Sequence, residues 1–336
     1  MIFVTGATGL VGSHLLIELS KTHPEIKALK RKLSNVEGVK QLFRYYFNND
    51  WQSHFNKITW VEGDVSDVNF LVECFQNIHH VYHTAAVVSF HKKDYDSMYT
   101  INVVGTENVV NASLEAGVKK LCHISSTAAI GRTKSNDVIT EKTEWKTSPE
   151  NSYYAVTKYA SELQVWRGIE EGLDAVIINP SIILGPGDFS KSSGTIFQRG
   201  AKGMKYYTNG SNAFVDVRDV ANVAIHLCNS EISAQRYLCF SGNVSYREIF
   251  DNIQRQFGHA KATKLATSLH TSLAWRVAKV LSWFGIKSFI TKENARSSQK
   301  KNIYSNEKLL NTIPYKFYSV DEAIDNVLKF YSSNKI

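Results

Sequence analysis

Short apolar runs recur along this chain, separated by amphipathic stretches of helical length. The first run, residues 1–5, passes through Gly6-Ala7-Thr8-Gly9-Leu10-Val11-Gly12 into a helical stretch over 13–20. Further runs at 25–30, 58–62, 81–84, 119–125 and 175–179 read as strands. Between them, 34–55, 67–75, 95–116 and 152–171 alternate polar and apolar residues at helical spacing. The third of these stretches ends on Gly117, a residue type suited to a helix C-terminus. Strand and helix in alternation predict right-handed βαβ units and a doubly wound parallel sheet of the α/β class. After Gly185 the pattern loosens into Gly- and Ser-rich sequence.

The glycine-rich turn changes the picture from fold to ligand. Glycines between a first strand and its helix allow a tight turn and close approach of the backbone to a diphosphate, which then rests on the helix N-terminus. The spacing here is G-x-x-G-x-x-G rather than G-x-G-x-x-G. The expected organisation is a Rossmann-like nucleotide-binding domain over 1–180, with returning segments near 214–240, and a smaller substrate lobe over most of 181–336. In such a sheet, ligands lie beyond the carboxyl ends of the strands. Gly6, Lys30 and Arg31, Asp64, Ala85 and Ala86, Ser125 and Ser126, and Pro180 and Ser181 all fall at those ends.

Composition narrows the class. The 336 residues are 43% hydrophobic and 21% charged, with a net charge of +8, as expected of a globular enzyme-sized chain. No basic-aromatic repeat or zinc spacing points to nucleic acid. The four cysteines are scattered without C-x-x-C, which suits a reducing compartment, and residues 1–5 read as a strand rather than a leader. No apolar run approaches the ~20 residues that span a bilayer, so a cytoplasmic protein is expected. Residues 273–290 are strongly apolar, with Arg276 and Lys279 on one side. A lid or core helix is one reading, and contact with a membrane surface is the other. His79, His80, His83 and His91 lack a carboxylate or cysteine spacing that completes a site, so no metal is expected.

Tyr154 and Lys158 stand at i,i+4, one turn apart on one helix face. An ammonium beside a phenol favours the phenolate, so the tyrosine pKa is expected below its usual ~10, within reach of proton transfer to or from an alcohol. At the end of the second strand the sequence reads Leu29-Lys30-Arg31-Lys32. Basic residues there accommodate a 2′-phosphate, whereas an acidic residue would bind a free 2′-hydroxyl. NADP(H) is therefore expected in preference to NAD(H).

These pieces together resemble an extended short-chain dehydrogenase/reductase of the epimerase/dehydratase type. The carriers are the Thr5–Gly12 loop, Gly63-Asp64-Val65, His83-Thr84-Ala85-Ala86, Asn102 through Asn108, Ser125-Ser126-Thr127, Tyr154-x-x-x-Lys158, Asn179-Pro180 with Leu184-Gly185-Pro186, and Phe214 through Ala221. The resemblance implies that Tyr154 exchanges the proton and that Lys158 tunes it and holds the nicotinamide ribose. Ser126 would bind the substrate oxygen, with Ser125 and Thr127 as alternatives. Asn102 would stand behind the lysine in a relay, or serve as a structural hydrogen-bonder. Gly6, Thr8, Gly9, Leu10, Val11 and Gly12 would hold the diphosphate, Asp64 and Val65 flank adenine, Ala85 and Ala86 border the cofactor, and Pro180 and Ser181 line the nicotinamide amide. A homodimer through the 95–116 and 152–171 helices is also implied.

Departures choose within the family. Dehydratases usually carry Thr-Asp-Glu where this chain has Ser126-Thr127-Ala128, which leaves no carboxylate pair to expel water. Nucleotide-sugar epimerases commonly place an arginine before the Phe-Val-x-Val motif; here the stretch is Ser211-Asn212-Ala213-Phe214, with Arg199, Lys202 or Arg218 as possible substitutes. The wording around Asn179-Pro180 and Val215–Ala221 instead resembles the dihydroflavonol reductase, cinnamoyl-CoA reductase and aldehyde reductase branch. The expectation is an NADP(H)-dependent reductase of an aldehyde or ketone. The alternatives are a nucleotide-sugar epimerase with tightly held NAD, a hydroxysteroid-dehydrogenase-like enzyme, and a non-catalytic cofactor-binding sensor.

Overall fold

The computed structural model describes residues 1–132, 137–190, 193–283 and 291–333. The first half runs β1 (Ile2–Thr5), α1 (Leu10–Ser20), β2 (Ile26–Lys30), α2 (Val36–Phe47), α3 (Trp51–Phe55), β3 (Ile58–Glu62), α4 (Val68–Phe75), β4 (His80–His83), α5 (Tyr95–Tyr99) and α6 (Gly105–Glu115). Next come β5 (Lys120–Ile124), α7 (Tyr153–Glu170), β6 (Ala175–Pro180), β7 (Ile182–Leu184), α8 (Gly194–Ala201), β8 (Tyr206–Tyr207), β9 (Ser211–Asp216) and α9 (Val217–Cys228). The chain then continues with β10 (Gln235–Cys239), β11 (Gly242–Ser245), α10 (Tyr246–Gln256), β12 (Lys264–Leu265), α11 (Ser268–Trp283), α12 (Lys292–Ser297), α13 (Glu307–Thr312) and α14 (Val320–Ser333).

Among the described residues the main sheet has seven parallel strands in the order β3-β2-β1-β4-β5-β6-β10. The order reverses between β1 and β4, which opens a crevice at their carboxyl ends. Period-2 alternation sends Ile2 and Val4 to one face and Phe3 to the other, and each face is covered. One core gathers α1, α2 and α9 around Leu15, Leu19, Phe43 and Val223; the other gathers α4, α6 and α7 around Leu71, Phe75, Val110 and Val165. Central strands β1, β5 and β6 are buried throughout, whereas edge strand β3 is only partly so.

Two elements differ from the sequence expectation. The helix expected over 34–55 breaks after Phe47, where Asn48 turns to φ 48° and ψ −119°, a backbone conformation that cannot continue an α-helix. The expected 95–116 helix contains a π-helical turn, Thr100–Val104, between α5 and α6. The seventh strand, β10, lies within the 214–240 stretch expected to return to the nucleotide-binding domain, and it pairs with β6 at the edge of the main sheet. A second, three-stranded sheet (β11-β9-β7) grows from the end of β6, and the small β8–β12 pair leads into α11. Part of the 273–290 stretch, residues 284–290, lies outside the described residues.

Candidate active site

The β1–α1 turn is compressed against the end of β4. Gly6 has φ +64°, and a Cβ there would lie 2.5 Å from the Ala85 nitrogen; a Cβ on Gly12 would lie 2.3 Å from the Gly6 carbonyl oxygen. Only glycine fits such contacts. Gly9 caps α1 without a side-chain acceptor, and the first turn carries no acidic residue, so its amides are offered to an anion. Threonines lock the switch point: Thr84 Oγ1 donates to the Thr5 carbonyl at 2.6 Å, and His83 bridges Thr5 Oγ1 (2.7 Å) and Thr106 Oγ1 (3.0 Å). Burial first, and Lys158 second, push the His83 pKa down to about 3, so it is a neutral structural ring. Gly6→Ala is expected to cost about 1–3 kcal/mol through its left-handed backbone and to weaken dinucleotide binding. Thermal unfolding and cofactor titration check this, and unchanged values in both would mean that the turn does not need its close approach.

The chemical cluster lies at the ends of β5 and β6. Ser152 caps α7 by accepting from the Ala155 amide at 2.9 Å, which starts the helix one residue before Tyr154. Ser126 Oγ accepts from the Ala128 amide at 3.1 Å. Its own hydrogen is thereby left to face the Tyr154 phenol, whose pKa the Ser126 side chain lowers. The Phe90 ring stands edge-on to Tyr154, with centroids 6.1 Å apart. Lys158 is 2% exposed and donates to the Ile124 carbonyl at 3.1 Å. The expected depression of the Tyr154 pKa is not what the free chain shows. Burial raises it, Ser126 opposes that rise, and Lys158, turned toward Ile124, does not enter. Desolvation likewise lowers the Lys158 pKa to about 8, against an opposing contribution from Glu162.

Glu162, one turn beyond Lys158 and 2% exposed, is the organising acid that the sequence reading missed. Its carboxylate accepts from Ser125 Oγ (2.8 Å), Asn179 Nδ2 (2.7 Å) and Arg236 Nη1 (2.9 Å). Asn179 Nδ2 also donates to the Ser126 carbonyl at 3.0 Å, so the hub holds the end of β5 in place. Ser125 is thus committed to Glu162, and of the two serines only Ser126 faces the phenol. The i,i+4 spacing from Lys158 was the available signal. Its partner Arg236 lies on β10, far downstream in sequence, and nothing local to Glu162 points to it.

Other sequence-predicted residues divide. Asn102, in the π-helical turn, accepts from the Val87 amide (2.7 Å) and donates to the Val87 carbonyl (3.0 Å) and Thr157 Oγ1 (3.1 Å). It therefore clamps the segment after β4 onto α7. Asp64 accepts from the Ser66 amide and hydroxyl, each at 2.9 Å, in a turn beyond β3. Val65 is buried against Gly105 on α6, so its side chain belongs to the core. Pro180 and Ser181 are buried at the end of β6, and the Ser181 hydroxyl and Asn179 Oδ1 have no partner there. Lys30 is not an unpaired cation. Glu62, its register partner on β3, holds it at 2.5 Å, a carboxylate brought in from the neighbouring strand. Arg31 and Lys32 are exposed beyond it. Tyr304, from the C-terminal lobe, is hydrogen-bonded to Thr127 and so borders the cluster.

The residues fit a dinucleotide. An open helix N-terminus behind a glycine turn, a basic tip on β2 and an unpartnered hydroxyl at the end of β6 lie on one edge of the sheet, with a Ser-Tyr-Lys cluster beside them. Fold and site define an α/β enzyme of the nicotinamide-dinucleotide-dependent class. Residues 2–238 match the NAD dependent epimerase/dehydratase family, and the chain belongs to that family, as an NAD(P)-dependent enzyme of the extended short-chain dehydrogenase/reductase type. A Synechocystis sp. protein provisionally named dihydroflavonol 4-reductase is 27% identical over 99% of this chain and 94% of its own length. Sterol demethylase protein B of Methylococcus capsulatus is 29% identical over 77% of this chain and 75% of its own. The crystal structure of gox2253 superposes with a TM-score of 0.80 at 26% identity, covering 99% of this chain and 98% of that one. Among the described residues no helix is long and apolar enough to cross a membrane.

Proposed function

We propose that this protein is an NADP(H)-dependent carbonyl reductase that converts an aldehyde or ketone to the alcohol. The observation that carries the reading is the Ser126 side chain set beside the Tyr154 phenol at the ends of β5 and α7, close enough to lower the phenol's pKa, with Lys158 buried one turn below. The Gly6–Gly12 turn, Ser181 and Lys158 would hold the dinucleotide, which when bound would supply the hydride. Tyr154 delivers the proton to the carbonyl oxygen, and Ser126 donates a hydrogen bond to that oxygen as negative charge builds on it. The ammonium of Lys158 stabilises the phenolate left behind. A phenol whose pKa is raised by burial stays protonated at neutral pH, as a donor in the reductive direction requires. Phe90 and Tyr304 supply aromatic walls suited to an apolar carbonyl compound.

One observation weighs against a nucleotide-sugar epimerase: Arg218, a candidate for the diphosphate grip, is bound to Asp216 at 2.6 Å and lies 3.8 Å from the Tyr318 ring centroid. Ser126-Thr127-Ala128 keeps its hydroxyls and lacks the carboxylate pair needed to expel water, which weighs against a dehydratase. The similarity to a sterol demethylase component supports a second reading, in which the carbonyl or alcohol sits on a steroid-like skeleton. NADPH oxidation across aldehydes, aromatic ketones and 3-ketosteroids tests both. Turnover of UDP- or GDP-sugars without net redox change would overturn both.

The preference for NADP(H) rests on Arg31 and Lys32, since Glu62 neutralises Lys30. Arg31→Ala with Lys32→Ala is expected to weaken NADPH binding by about 10- to 100-fold, the worth of one or two charge-assisted hydrogen bonds, with little change for NADH. Equal losses for both cofactors would remove these residues from 2′-phosphate recognition. A homodimer through α5, α6 and α7 belongs to the same proposal: Tyr99, Tyr153 and Leu163 are exposed on those helices. Sedimentation equilibrium checks it, and a monomer at micromolar concentration would refute it.

A further inference from the structure

Helix α11 has two opposed sides. Ala278 is buried and Thr271, Ala274 and Trp275 are half-buried on the side that packs against α12, where Lys292 lies 5.9 Å from the Trp275 ring centroid. The other side is apolar and turned to solvent: Leu269 is 82% exposed, Leu273 64%, Val277 49%, Val280 46% and Leu281 38%. At about 100° per residue these positions form one continuous stripe, and the exposed Arg276 and Lys279 follow it along one edge. A surface helix ordinarily turns its apolar stripe inward. The preceding strand pair is also exposed and basic: Tyr206 is 52% and Leu265 38% exposed, beside exposed Lys205 and Lys264.

Charge identifies the occupant. Between 257 and 292 the sequence has six lysines and arginines (Lys261, Lys264, Arg276, Lys279, Lys287 and Lys292) and no aspartate or glutamate. The stretch 189–215, which contains β8, likewise has four lysines and arginines and no aspartate or glutamate. Exposed leucines and valines flanked by cations of one sign complement the anionic headgroups and acyl boundary of a phospholipid bilayer. Long basic side chains can lie along the apolar stripe and extend their charges to lipid phosphates. A second copy is the poorer match, because a two-fold contact would set this one-signed surface against itself. We propose that α11, with the β8–β12 pair, is a membrane-surface element that seats the protein on anionic phospholipid, the helix lying in the plane of the interface. At 16 residues, or about 24 Å, α11 rests on a bilayer and does not span it.

Co-sedimentation of the full chain with vesicles tests this independently of turnover. Wild type is expected to bind phosphatidylcholine vesicles containing phosphatidylglycerol, to bind pure phosphatidylcholine vesicles far more weakly, and to be released by high salt. Arg276→Ala with Lys279→Ala should lower the partition coefficient about 30-fold, given the usual worth of a basic residue at such a surface. Leu273→Asp with Val277→Asp should abolish binding. Both pairs are exposed, so far-UV circular dichroism and thermal midpoint should match wild type. Absence of wild-type binding to the anionic vesicles, equal binding to neutral ones, or undiminished binding by the variants would overturn the proposal. So would a concentration-dependent dimer that Leu273→Asp dissolves in a protein that ignores vesicles, since the face would then belong to a second copy.

Discussion

Tyr154→Phe is expected to lower kcat by roughly 10²- to 10⁴-fold, the range that a positioned general acid supplies, while NAD(P)(H) affinity stays near wild type. Phenylalanine keeps the ring and its edge-on contact with Phe90, so the site should not collapse. What is lost is the one hydroxyl that Ser126 addresses. Ser126→Ala should cost less, because Tyr154 would keep its proton and the site would lose one hydrogen bond to the developing alkoxide rather than the proton donor itself. Steady-state kinetics with separately measured cofactor dissociation constants separate these outcomes. A near-normal kcat for Tyr154→Phe would take the phenol out of proton transfer. The alkaline limb of kcat/KM provides a second reading of the same site. The Lys158 ammonium is charged below about 8 and loses its proton as pH rises through that value, so kcat/KM of the free enzyme should fall there. The stability consequence has the opposite sign. Above about 8 the folded chain has shed a proton that the unfolded chain retains up to about 10.5, so the cost of burying Lys158 shrinks as pH rises through that window.

Glu162→Gln carries the second large effect, on stability. The carboxylate is 2% exposed and receives Arg236 from β10, Ser125 from the end of β5 and Asn179 from β6. Removing one charge of a buried pair leaves the other uncompensated, at a cost of about 3–5 kcal/mol. Gln keeps the shape and one acceptor oxygen, so the lower end of that range is expected, with Glu162→Ala at the upper end. Urea unfolding measures it, and a loss under about 1 kcal/mol would show the hub to be no more than a surface-type pair. The same variant should move the alkaline limb to lower pH, because Glu162 is the group that holds the Lys158 pKa up against burial. A limb that stays in place while stability falls would assign Glu162 a purely structural role.

Much of this site is legible residue by residue. The glycine turn can be read because its demands are local: Gly6 needs a left-handed backbone and Gly12 a missing Cβ, and both needs appear as glycine. Tyr154 and Lys158 can be read because helical periodicity alone puts them on one face. Asn102 was ambiguous in the sequence because an amide both donates and accepts. Its role as a clamp between Val87 and Thr157 emerges only when two segments meet. Lys30 shows the reverse failure. Its charge is visible in the sequence, but the carboxylate that cancels it sits on a different strand, 32 positions away.

By itself, then, the sequence determined the alternation of strand and helix, the dinucleotide turn, the family and the identity of the tyrosine with an i,i+4 lysine. All of these are encoded in neighbours along the chain, where backbone sterics and helical or strand periodicity act directly. Only the tertiary structure decided that the returning segment pairs with β6 as β10, that Glu162 gathers Ser125, Asn179 and Arg236, that Ser126 rather than Ser125 faces the phenol, and that Tyr154 and Lys158 are shifted chiefly by burial. The physical reason is common to them: an ion pair or a desolvation cost depends on what the rest of the chain packs around a group, and that is set by contacts between residues far apart in sequence.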